Sequence, residues 1–218
     1  MNGGTMTEIW VYLSAQPLLW LTLTLAAYLL ALALHRRAGG HPAVNPVLIS
    51  VSLLVALLLL TDTPYPRYFD GAQFVHFLLG PTTVALAIPL HGQLKRLLGM
   101  AGPLTIALVI GSLTAALSAY AIAALMGASA PTLASLAPKS VTTPIAMGIA
   151  ERLGGLASLT AVFVILTGIV GAIFASGLLA RAGVRDEASV GFALGLASHG
   201  IGTARAFQLS EQTGAFAA

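Results

Sequence analysis

Residues 133–155 read LASLAPKSVTTPIAMGIAERLGG. Lys139 sits there between Pro138 and Ser140, and uncharged sequence runs from Leu97 up to it. A lysine at the centre of a membrane helix costs about 2.5–3.5 kcal/mol on insertion scales, so by default it faces a polar interior. Ser140, Thr142 and Thr143 place three hydroxyls close by, beside amides that a proline-broken helix leaves unpaired. Unpaired amides and a helix N-terminus suit an anion such as a small carboxylate. A plainer account is that Pro138 starts a helix and Lys139 snorkels from its first turn to the membrane interface. Both accounts stay open on these residues alone.

The rest of the chain makes a membrane setting unavoidable. Its 218 residues are 57% hydrophobic and 8% charged, with a mean hydropathy of +0.92, whereas soluble domains carry about 25% charged residues. This implies a single membrane domain over residues 1–218, with the lipid bilayer as its solvent. The net charge of +3 comes from scattered basic residues, with no basic block interleaved with aromatics, which argues against nucleic acid as a partner. There is no cysteine, hence no disulfide framework or thiolate metal site.

Uncharged runs cover residues 9–34, 43–61, 71–94, 97–138, 153–180 and 188–204. A crossing helix needs about 20 apolar residues, so the spacing predicts ordinary spans in 9–61, at 103–126 and at 156–180, with a turn at 127–131. Three segments, 71–95, 133–155 and 190–210, are interrupted by proline or glycine. In lipid the freed backbone groups must be satisfied inside the protein, and these segments are therefore expected to be discontinuous or re-entrant helices. The fold class is all-α and polytopic.

Sliding the chain by 57 residues superposes Pro81 on Pro138, Val84 on Val141, Gly111 on Gly168 and Ala115 on Ala172. This raises an internal repeat, inverted if the broken segments return to their own side; weak symmetry between interrupted segments is also a pointer to a transporter site. Lys95-Arg96 and Arg181 with Arg185 pull the topology in different directions under the positive-inside rule, unless the second broken segment fails to cross.

Two further polar groups join Lys139. SHGIGTARA, residues 198–206, carries His199, Thr203 and Arg205, with Gly200 and Gly202 permitting close backbone approach. A histidine titrates between about pH 5 and 8 and could serve a coupled proton. It is equally a residue type that packs and hydrogen-bonds inside helix bundles. Thr82, after Pro81, repeats the hydroxyl-after-proline pattern and is a candidate opposite wall; Asn45, before Pro46, is placed to cap the second span and completes the candidate set. No GxSxG, HExxH, P-loop or metal-ligand spacing is present, so nothing asks for an enzyme or a cofactor.

LLGPTTVALAIPL at 78–90, APKSVTTPIAM at 137–147, LTAVFVILTGIVGA at 159–172 and GLASHGIGTARA at 195–206 resemble the LrgB/CidB family of bacterial inner-membrane proteins. The resemblance runs from about Asn45 to Gly214. It implies antiholin-like or holin-like action with a small partner of the LrgA/CidA type, affecting murein hydrolase activity and lysis. A similar domain forms the plastid glycolate/glycerate translocator, which implies carriage of small monocarboxylates. On that resemblance, substrate contact falls to Lys139, Ser140, Thr142, Thr143, Pro81, Thr82, His199, Gly200, Gly202, Thr203 and Arg205. Relatives usually continue past the position of Ala218 with another apolar segment. The expectation is a transporter working by alternating access, elevator-like and proton-coupled, as a homodimer in the inner membrane. Residues 9–61 would be its scaffold and 71–210 its broken-helix core.

Overall fold

A computed structural model describes residues 15–218. Glu8 and the start of the expected 9–34 run lie outside the described residues. The described chain is helical without a strand, and its secondary structure divides into two compact units between Ala85 and Leu86.

In the first unit, α1 (Pro17–Arg37) and α2 (Pro46–Leu60) are apolar helices that each begin on a proline, where the missing amide is no loss. His35 Nδ1–H donates to Val44 O at 2.7 Å and ties down the loop between them. Asn45 then caps α2, its Oδ1 accepting from Val47 N at 2.9 Å and Leu48 N at 3.1 Å. α3 (Tyr65–Phe77) crosses the start of α1, where Gly71 lies against Pro17 O and Trp20 Cβ. Trp20 is fully buried, edge-on to Tyr68 with ring centroids 6.0 Å apart.

The 71–95 segment is interrupted at single residues, Leu78 and Leu86, as its prolines require, and does not turn back there. Both residues stay in the right-handed helical region, and Tyr65–Gly92 as a whole is long and apolar enough to cross a membrane. α3 stops at Phe77 and α4 spans Leu79–Ala85; in the second unit follow α5 (Ala87–Gly92) and α6 (Leu94–Gly99). Pro81 has no N–H for Phe77 O, and Pro89 has none for Ala85 O, so each helix ends at the carbonyl its proline strands.

Two 25-residue helices frame the second unit, α7 (Ala101–Leu125) and α10 (Ala157–Arg181), with mean hydropathies of 2.0 and 2.4 over an 18-residue stretch of each. Each is about 37 Å long at 1.5 Å per residue, more than the roughly 30 Å hydrocarbon core. Between them lie α8 (Ala130–Leu136) and α9 (Thr143–Arg152), separated by the turn that holds Lys139. Leu156 N donates to Ser135 Oγ at 2.8 Å, so residues 136–155 leave and return to the same level. The paired glycines of ERLGG make that closure: Gly154 takes φ +81°, and a Cβ on Gly155 would sit 2.8 Å from Ser135 N. The second broken segment therefore does not cross.

At the other end Arg96 Nη2, in α6 just before α7, lies 2.6 Å from Asp186 Oδ1, just past α10, so the start of α7 and the end of α10 lie towards the same end. α7 and α10 are thus antiparallel. Lys95, Arg96, Arg181 and Arg185 share one end, the one the positive-inside rule assigns to the cytoplasm. The conflict between Lys95-Arg96 and Arg181 with Arg185 disappears, because the segment between α7 and α10 is a hairpin.

The last elements are α11 (Glu187–Leu209) and α12 (Glu211–Ala217). α11 is two half-helices: His199 has φ 43° and ψ −140°, which no helix contains. Gly202 abuts Leu194 O and Ser198 Cβ, whereas residues eight apart in one straight helix stand about 12 Å apart. The chain doubles back. α12 runs beside both halves: Thr213 O and Ala217 O pack on Gly191 and Gly195, while Thr203 Oγ1 donates to Ala217 O at 2.7 Å and Phe207 packs on Gly214. Residues 187–198, 200–209 and 211–217 therefore alternate in direction, and α11 is a second re-entrant hairpin.

Two caps give measurable expectations. Asn45→Ala should lower stability by about 1 kcal/mol in detergent unfolding, and Asn45→Asp should restore most of it, because a carboxylate also caps. Asp186 has its carboxyl held below the ordinary range, first by the Ser189 amide and then by the Ser189 hydroxyl, with Arg96 adding to this. A depressed carboxyl stabilises the fold above its unfolded pKa of about 3.9 and loses that contribution as pH falls through the lower folded value. Unfolding temperature should therefore drop more steeply below about pH 4 for the natural chain than for Asp186→Asn, which still caps but does not titrate.

Candidate functional site

The break in α11 lies against the middle of α10. His199 Nε2–H donates to Val164 O at 2.9 Å, so its Nδ1 is the unprotonated nitrogen when the ring is neutral. Glycine makes the approach possible: a Cβ at Gly168 would stand 2.7 Å from His199 Cε1 and 2.8 Å from Ile201 Cδ1, and at Gly171 it would meet Ser198 Oγ. On α7 a Cβ at Gly111 would stand 2.6 Å from Leu196 Cδ2. Gly111 and Gly168, the glycines paired by the 57-residue offset, thus do the same work: each admits the broken helix near the middle of a 25-residue span.

Ser198, absent from the candidate set read from sequence, is fully buried, and its Oγ makes no hydrogen bond within the described residues. A buried hydroxyl without a partner costs about 1–3 kcal/mol. Its only sequence signal was its place beside His199. Gly200, by contrast, is exposed, with nothing within 4 Å of a Cβ built on it. Gly202 and Thr203 are buried. Gly202 is needed for contact with Leu194, and the Thr203 hydroxyl is shared between Ala217 O and, at 3.1 Å, His199 O. Arg205 lies on the return limb, with Nη1 donating to Gln208 Oε1 at 2.9 Å.

Lys139 occupies the other hairpin's turn. Pro138 does not start a helix: it is buried in the turn, and α9 begins at Thr143 with Pro144 in its first turn. The first-turn snorkelling account loses its premise. Lys139 is half-buried, and its Nζ donates to Ser140 Oγ at 3.3 Å. Thr142 is exposed at the N-cap of α9 without a side-chain capping bond, and Thr143 is half-buried. Ala146 and Ala150, one turn apart, are fully buried, giving α9 a small-residue packing face.

Lys139, Ser140, Thr142 and Thr143 thus form one cluster, and Ser198, His199 and Gly200 a second, with Arg205 further along the same hairpin. Pro81, Thr82 and Asn45 belong to the first unit. There Pro81 and Thr82 are exposed on α4, while the Asn45 side chain is committed to its cap. Among the described residues no group of three His, Cys, Asp or Glu could hold a metal ion.

Against known proteins, the family model described as LrgB-like matches residues 24–218. The chain belongs to the LrgB-like family. It is 38% identical over 196 residues to the uncharacterized protein YwbG of Bacillus subtilis, covering 89% of this chain and 86% of that one. The holin-like protein CidB of Staphylococcus epidermidis is 29% identical over 201 residues, 92% of this chain and 87% of CidB. CidB of Staphylococcus aureus is 28% identical over the same length. No solved structure matches this chain. Membership and the long apolar helices together make this a membrane protein.

Within this LrgB-like fold the glycine contacts predict a clear contrast. Gly168→Ala should destabilise by about 1–3 kcal/mol, because its methyl overpacks His199 and Ile201. Gly177→Ala, where a Cβ meets nothing within 4 Å, should be neutral or stabilising by up to about 1 kcal/mol. Thermal unfolding in detergent reads both.

Proposed function

We propose that this protein is a carrier of small monocarboxylates in the bacterial inner membrane, working by alternating access. The observation that supports it most is the break at His199, held against the middle of a membrane-length helix by the Val164 carbonyl. Broken helices near the bilayer midplane are how many transporters expose backbone groups to a solute. The charge inventory fits an anion: Lys139 is the only formal charge between Ala101 and Ala150, and Arg205 the only one between Ala188 and Ser210. Lys139 would attract the carboxylate while Ser140, Thr142 and Thr143 orient it. His199, with Nδ1 unprotonated, would accept a coupled proton. Homodimerisation through the N-terminal spans belongs to the same proposal.

The relatives' names favour a second reading over this one. CidB is called holin-like in both staphylococci, and a holin-like protein would act through assembly, with a small membrane partner, on murein hydrolase activity and lysis. The two readings differ in what they demand of Lys139. A carrier saturates and discriminates among solutes; a holin-like assembly leaks many solutes and depends on its size.

Uptake of labelled glycolate, lactate and pyruvate into proteoliposomes separates them. The carrier predicts saturable, selective uptake, lost on Lys139→Ala in protein that keeps its unfolding temperature. Unselective, non-saturable leakage indifferent to that substitution would overturn it in favour of the holin-like reading.

A further inference from the structure

The two hairpins open on opposite ends of the same helix pair. The first springs from the end of α7 and the start of α10, closed by Ser135 and Leu156 2.8 Å apart. The second springs from Asp186, which pairs with Arg96 of α6 just before α7, and the return limb 200–209 comes back to that end, where α12 begins; Phe216 of α12 lies 5.7 Å under the Arg96 guanidinium. Because α7 and α10 are antiparallel and each spans the hydrocarbon, these two closures lie on opposite membrane faces. The first half of α11, residues 187–198, is about 18 Å long, roughly half the span of α10. This agrees with its tip touching Gly168 and Gly171. α9 is about 15 Å long, so the first hairpin is also of half-membrane length.

We infer that the Lys139 turn and the His199 turn are two gates of one pathway, the first reached from the outer face and the second from the cytoplasmic face. The inference rests on the carrier reading and sharpens it. Each hairpin brings one cation, Lys139 in the first turn and Arg205 on the return limb of the second, and each turn has an exposed position, Thr142 and Gly200, and no acidic side chain. A small anion that reached either turn would find a cation on that hairpin and no carboxylate in the turn itself. The α7–α10 pair would remain still while one hairpin or the other moved.

The chain has no cysteine, so single-cysteine variants need no prior replacements. Thr142→Cys and Gly200→Cys report the two turns; Ser129→Cys and Arg185→Cys, both exposed near the ends of the frame, report the two faces. An impermeant maleimide is applied to right-side-out and inverted vesicles, and reaction in detergent confirms each thiol. Thr142→Cys should label only from the face that labels Ser129→Cys, and Gly200→Cys only from the face that labels Arg185→Cys, with complete loss from the opposite side. Ser140→Cys and Ala197→Cys repeat the test should either first variant fail to fold. Labelling of both turns from one face, or of neither from any face, overturns the inference. Opposite-face labelling without saturable uptake would refute the carrier and leave the two-sided entry standing, whereas same-face labelling with uptake intact would do the reverse.

Discussion

The His199 ring bonded to the Val164 carbonyl is the contact on which the broken helix depends. Hydrocarbon offers no partners for the amides and carbonyls freed by a break, and a non-glycine residue at positive φ carries strain of about 1–3 kcal/mol. Such a break persists only where surrounding packing over-determines it. Here α10 supplies a carbonyl and two glycines, and α12 supplies a second layer, its Thr213 and Ala217 carbonyls meeting Gly191, Gly195 and Thr203 of α11. A methyl at Gly168 would stand 2.7 Å from His199 Cε1, in the space through which the ring reaches its acceptor.

That contact also sets the depth of the polar groups. Ser198 and His199 are placed by α10, not by their distance along the sequence from a charged flank. Ser198 keeps an unpartnered hydroxyl in a buried position, the kind of cost that folds retain at working sites. On the opposite side Ser135 performs the matching closure, donating to Pro131 O and accepting from Leu156 N. That hydroxyl and the paired Gly154 and Gly155 together close a stretch that returns instead of crossing.

Much of this was legible in the residues. The span expected at 103–126 is α7 at Ala101–Leu125, and that at 156–180 is α10 at Ala157–Arg181, since twenty-odd uncharged residues leave little freedom. The three interruptions appear where proline or the SHGIG run placed them. Asn45 caps as its position before Pro46 suggested. Less was legible where packing decides. Pro138 suggested a helix start, but the helix waits for Pro144, because Pro138 is buried in a turn that Lys139 shares. Ser198 and Gly171 carried no signal of their own: a serine and a glycine in an apolar run are ordinary until one is pressed against the other.

The sequence by itself determined that the chain lives in lipid, which stretches span it and where helices must break, because hydropathy and missing amides act locally. Which breaks return and which cross was left to the tertiary structure. Residues 135 and 156, or 96 and 186, meet only in the folded chain, and the direction of a hairpin is set by such closures across tens of residues. The same holds for His199: its type was plain from the start, and its role as a strut for the break came from a carbonyl 35 residues away.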